Sequence, residues 1–398
     1  MSLLPIEDHK TRSPIAEWAP FALGFRPFFL AAGWYAVLMM GLWLAVLNGK
    51  LQLGSLSPFV WHGHEMLFGF AVAVIAGFLL TAAQNWTGIQ TPSGPALAAL
   101  FLLWLAGRVS FFLPGLSVGW VALIDLLFLP VLAVTLAWPL IKARQLFNAP
   151  FPLMLLVLAA ANALVHVEAL GRPTASISLG LQLATYVIVT MITVMGGRVI
   201  PSFTDNKLRT HARRWKMIEW LVPLSTIAAL LAVLIAPGSI VTAVMAAIAA
   251  AVHGIRLAGW YTRKIWAVPL LWVLHLGYAW IVLGFALLVA SALGVASATG
   301  SALHAFTAGA IGVLTLGMMA RVSLGHTGRI LESAPVMTLA FVAINIAALI
   351  RVAAPLLAPG TYTPSMTLAG LMWMIAFGIF AVIYSPFLLR ARVDGKPG

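Results

Sequence analysis

The chain has 398 residues, of which 62% are hydrophobic and 8% charged, and its net charge is +13. A soluble domain holds roughly 25% charged residues, so this composition excludes an ordinary soluble fold and indicates an integral membrane protein. There is no cysteine, which excludes disulfides, thiolate metal sites and iron–sulfur clusters held by cysteine.

Residues 1–24 read as a polar arm. Glu7, Asp8, His9, Lys10 and Arg12 precede Pro14 and Pro20, without the apolar centre or small-residue cleavage site of a signal peptide. A spanning helix needs about 20 mostly apolar residues. Twelve stretches qualify: 25–47, 62–84, 95–113, 117–141, 151–171, 175–197, 217–236, 239–260, 267–294, 301–323, 335–357 and 365–389. Turn signals such as Asn48-Gly49, Leu113-Pro114-Gly115 and Pro237-Gly238 separate them. The fold expected is therefore all-α: a polytopic bundle of twelve transmembrane helices over residues 25–390, followed by a tail at 391–398. The 15 tryptophans suit interfacial belts.

Of the 23 Lys and Arg residues, all but Lys50, Arg108, Arg172 and Arg351 fall on one side of this map. Positive charge stays inside, so arm, tail and the connections after even-numbered helices are expected in the cytoplasm. This bias explains the net charge with the lipid bilayer as partner and without nucleic acid. The most basic connection, between helices 6 and 7, divides the chain into halves of six helices, but no sequence repeat is evident.

Ionisable groups within spans usually face a protein interior or a cavity. Sorted by depth, they form two layers. His62, His64 and Glu65 on helix 2, Asp125 on helix 4, His166 and Glu168 on helix 5 and His304 on helix 10 lie towards the outer surface. His253 on helix 8 and His275 on helix 9 lie roughly 10–12 Å above the cytoplasmic boundary. His326, Arg198, Arg256 and Arg321 lie below them. Imidazole is the commonest metal ligand and also binds haem iron. The alternative for any single histidine is a helix contact through hydrogen bonds.

His62 and His64 are two residues apart, so on a helix they point nearly opposite ways. They then serve two centres on either side of helix 2; in a loop, Gly63 lets them converge. His62 reads equally as an interfacial anchor. Glu65 reads either as an outer partner orienting an imidazole or as a charge favourable at a helix N-terminus. His253 and His275 have three readings: axial ligands of a low-spin haem, copper ligands together with His326, or structural hydrogen bonds. The Met191/Met195 and Met318/Met319 patches read as packing before copper(I) sites.

GFRPFFLAAGW (24–34), WHGHEMLFGFAVAVIAGFLLTAAQNWTG (61–88), GGRVIPSFTDN (196–206), LLWVLHLGYAW (270–280) and HAFTAGAIGVLTLGMMARVSLGHTGR (304–329) resemble the NnrS family. These are twelve-helix bacterial inner-membrane proteins that contain haem and copper and are linked to the nitric oxide response and to tolerance of nitrosative stress. The resemblance implies haem b and copper as cofactors, nitric oxide or a related small ligand as partner, and an electron donor in the membrane or periplasm. It does not assign ligands. His62, His64, His275, His304 and His326 lie within the quoted blocks, whereas His166 and His253 lie between them. From depth alone, His62, His64, His166, His253, His275 and His304 are the cofactor-binding candidates, and His326 joins them as a metal ligand. Two other readings stand beside this one: a transporter of a small anion or metal complex, and a membrane sensor without turnover.

Overall fold

The computed structural model describes residues 18–52, 57–170, 176–295 and 297–396, except the side chains of 168–169 and 176–178. Most of the expected arm and the side chain of Glu168 lie outside the described residues. Twelve helices follow in order: α1 (Phe25–Leu47), α2 (Pro58–Thr87), α3 (Gly94–Ser110), α4 (Val118–Lys142), α5 (Pro150–Ala169), α6 (Ser176–Leu208), α7 (Lys216–Ile235), α8 (Ile240–Trp260), α9 (Pro269–Ala292), α10 (Ala298–His326), α11 (Pro335–Leu357) and α12 (Tyr362–Leu389). Pro58, Pro269 and Pro335 each open a helix, where a missing N–H goes unmissed. Gly88, in the left-handed region at φ +68°, closes α2.

Two expectations from hydropathy need correction. Eleven of the twelve helices are long and apolar enough to cross a membrane, and α3, at 17 residues, is shorter. At 1.5 Å per residue it measures about 26 Å, less than the roughly 30 Å hydrocarbon core. Helix α6 runs on to Leu208 instead of ending near 197. Arg198 and Lys207 are therefore helical, and the basic connection shrinks to 209–215. The Asp205 carboxylate accepts from the Ala212 N–H (2.8 Å) and the Thr210 hydroxyl (3.2 Å), folding that connection back onto the helix end.

Consecutive helices pack against each other around the bundle, apart from the α2–α3 step being slighter, and α12 closes it against α1. Three helices lie inside: 78% of the spanning residues of α2 are buried, 72% of α10 and 67% of α6, against at most 56% elsewhere. Both ends of the described chain meet at one end of the bundle. Trp18 pairs with Arg390, and the Arg26 guanidinium donates to the carbonyls of Leu388 (3.2 Å) and Arg390 (2.5 Å).

Helices α2 and α10 share a device that hydropathy does not register. Each widens into a π-helical turn, Glu65–Ala71 and Ala305–Ile311, immediately after a histidine. Each has the spacing H-x4-G-x7-G: His64, Gly69, Gly77 and His304, Gly309, Gly317. A Cβ at Gly69 would lie 2.7 Å from the Tyr35 ring of α1, and one at Gly309 would lie 2.6 Å from the Trp280 ring of α9. One turn pair further on, Gly77 takes Phe28 and Phe29 of α1, and Gly317 takes Val273 and Leu274 of α9. So α1 fits α2 as α9 fits α10. The recurrence spans eight helices and does not follow the six-and-six division suggested by the charged connection. π-turns of this kind often mark functional sites, because they rotate a side chain out of the regular helical register.

Candidate functional site

One polar cluster is built by five helices. His64 and Glu65 come from α2 at the entry to its π-turn, Arg108 from the last turn of α3, Asp125 from α4, Asn162 and His166 from α5, and Tyr35 from α1. All are buried; His64 and Glu65 have no exposed surface. The Arg108 guanidinium bridges both carboxylates. It donates to the Glu65 oxygens at 3.0 and 3.1 Å and pairs with Asp125 through its other nitrogen. The Tyr35 hydroxyl donates to Glu65. Asp125 Oδ2 also receives Asn162 Nδ2 at 2.8 Å and His166 Nε2 at 2.8 Å. Phe111 packs on both imidazoles, 5.1 Å from His64 and stacked 6.0 Å from His166.

The polarity of this cluster is specific. His64 Nδ1 faces Glu65 Oε1 at 2.8 Å, and its Nε2 faces Asp125 Oδ2 at 3.1 Å and Asn162 Oδ1 at 2.9 Å. Because Asn162 commits its Nδ2 to Asp125, its oxygen must be the atom turned towards His64. Every polar neighbour of the His64 ring is thus an acceptor. Two buried carboxylates also outnumber the single guanidinium. A buried charge needs a partner, so the cluster is suited to one more cation beside His64. Ligand atoms of His64, Asp125 and His166 lie within 4.8 Å of one another, the only such group of His and carboxylate side chains among the described residues. Two imidazoles and a carboxylate are a donor set for copper(II) or another divalent transition metal.

His62 points the other way. Its ring stacks on Trp43 of α1, with centroids 4.4 Å apart and planes at 18°. It lines a cavity of about 410 Å³ between α1, α2, α6, α10, α11 and α12. His304 and Arg351 face the same cavity, whose walls include Trp43, Phe59, Phe70 and Trp373. His304 donates Nδ1–H to the Gly300 carbonyl at 2.8 Å, which leaves Nε2 as its lone-pair nitrogen. His62 Nδ1 is buried without a hydrogen-bond partner. The four outer histidines are therefore divided between two sites on opposite sides of α2: His64 with His166, and His62 with His304.

The inner histidines differ in their surroundings. His253 is fully engaged: Thr226 faces its Nε2 at 2.9 Å and the Tyr278 hydroxyl its Nδ1 at 2.9 Å. The network continues from Tyr278 to Arg256 at 3.1 Å and on to Glu219 of α7. His275 donates Nδ1–H to the Leu271 carbonyl at 2.9 Å. His326 lies at the end of α10 with its ring 5.6 Å from Phe25. These three form no three-ligand group among the described residues.

Sequence reasoning passed over Tyr35, Asn162, Tyr278 and Thr226, and noted Arg351 only for its side of the membrane. A signal existed for Asn162, which precedes His166 by one helical turn and so shares its face. Tyr35 and Thr226 carry none, because their partners come from other helices.

A search of curated proteins finds no match to this chain. Over residues 19–392, spanning all twelve helices and both histidine sites, the chain matches the family model described as NnrS protein, and it belongs to that family.

Proposed function

We propose that this protein is a haem- and copper-containing membrane protein of the nitric oxide response, handling nitric oxide by redox chemistry. The observation that carries this reading is the division of the outer histidines by α2 into two chemically different sites. The His64–Asp125–His166 cluster offers nitrogen and oxygen donors with an unmet demand for positive charge, and it fits copper. The other cavity fits haem. Its aromatic walls suit a macrocycle, the His62 ring and His304 Nε2 are the imidazole donors on its lining, and Arg351 is the cation available to a propionate. Haem supplies an iron that binds nitric oxide and exchanges electrons, and copper supplies a second one-electron centre.

The protein's own groups have distinct tasks in this scheme. Arg108 pairs with Glu65 and Asp125 and holds both in place, Asn162 orients Asp125, and Phe111 packs over both imidazoles. In this reading His253, engaged at both nitrogens by Thr226 and Tyr278, serves to hold α7, α8 and α9 together. In this reading both termini lie in the cytoplasm and the two sites lie near the outer face of a bacterial inner membrane, which the bias of Lys and Arg supports.

The test is an absorption spectrum with elemental analysis of the purified protein. An intense Soret band with stoichiometric iron and copper is expected, and the band should shift on anaerobic addition of nitric oxide. A colourless protein lacking both metals would contradict the proposal, and solute uptake by such a protein in liposomes would favour the transporter reading.

A further inference from the structure

A second cavity, of about 90 Å³, lies deeper in the bundle where α2, α6 and α10 face one another. Its lining is hydrocarbon and thioether apart from Thr315. The Thr315 hydroxyl is already committed to the Gly312 carbonyl at 3.0 Å. An ordered water needs two to four polar partners, and none remains here, so the lining does not hold one. No carboxylate, imidazole or guanidinium lines it, so a charged guest is excluded as well. What such a space accepts is an uncharged molecule of a few atoms, bound by dispersion contacts with its walls.

Its position gives that guest a destination. Ile311 lines both this cavity and the larger one that holds His62 and His304. On α2, Phe70 faces the larger cavity while its neighbour Ala71 faces the smaller. Ala71 and Ile311 are the last residues of the two π-turns. The irregular backbone that follows each histidine therefore ends beside both spaces, and Ile311 is a wall residue that the small cavity shares with the cavity containing His304.

We infer that the small cavity is a binding site for an uncharged diatomic gas beside the His62/His304 cavity. That the gas is nitric oxide in the cell rests on the proposed function; the site itself does not depend on it. Three of the 15 methionines line the pocket, Met191, Met195 and Met318, and they serve as reporters.

Xenon is the probe, because it is uncharged, polarisable and small. In full-length protein labelled at the methionine methyl carbons, xenon pressure should shift the Met191, Met195 and Met318 resonances saturably and leave methionines far from the cavity unmoved. Ile192→Phe fills the pocket from α6 without touching the larger cavity, and should abolish those shifts while the protein remains folded by circular dichroism. Ala71→Leu fills it from the opposite side and should act alike. Absence of saturable shifts in the unsubstituted protein overturns the inference, as does their persistence in both filled variants. Xenon shifts in a protein found to lack haem would sustain the gas site and defeat the haem reading. Absent shifts in a protein that contains haem would do the reverse.

Discussion

Replacing Arg108 with leucine is expected to destabilise the protein by about 3–5 kcal/mol, the scale seen when one partner of a buried ion pair is removed. One guanidinium on α3 satisfies Glu65 of α2 and Asp125 of α4 together. Its loss leaves two buried carboxylates facing each other's field. An ordinary hydrogen bond between membrane helices contributes roughly 0.6 kcal/mol, so the charge term should dominate. Unfolding by SDS in mixed micelles measures the loss. Adding Glu65→Gln to the Arg108→Leu background should recover part of it, because one orphaned charge is then gone. A loss no larger than that of a single interhelical hydrogen bond would show that the cluster does not depend on its guanidinium.

Replacing Asp125 with asparagine should weaken copper binding by at least roughly a hundredfold, since even an outer partner of a metal ligand commonly contributes ten- to a hundredfold. Asparagine nearly preserves the shape of Asp125 but keeps one acceptor oxygen where the carboxylate has two, so it can accept at the Arg108 position or at the His166 position and not at both. It removes the anionic oxygen on which His64, Asn162 and His166 converge. Competition against a copper chelator gives the affinity. His253→Ala provides the contrast and should leave copper unchanged, because both ring nitrogens of His253 are already engaged by Thr226 and Tyr278. Unchanged affinity in Asp125→Asn would move the copper away from this cluster.

The helices were legible in the sequence because lipid demands long apolar runs, and α1, α8 and α11 begin and end within a residue or so of their hydropathic limits. Hydropathy measures an apolar stretch rather than a helix. That is why α6 continues past Arg198 into SFTDNKL, where water and Asp205 satisfy what lipid cannot. Depth was legible for the same reason: His64, Asp125 and His166 were placed at one height and do meet. Rotation about the helix axis was not legible from depth. His304 has the same height but lines a different cavity, and only the two-residue spacing of His62 and His64 indicated that one layer contains two sites. The π-turns were hidden because no local propensity marks them. The repeated H-x4-G-x7-G spacing is their trace, and its meaning depends on Tyr35 and Trp280 filling the space at Gly69 and Gly309.

The division of labour between the two faces of α2 is tested most directly by the iron and copper content, with absorption spectra, of His62→Ala and His64→Ala purified side by side. His62→Ala should lose or alter the haem band and keep copper, and His64→Ala should lose copper and keep the haem band. Loss of the same metal from both variants, or of neither, would contradict two separate sites.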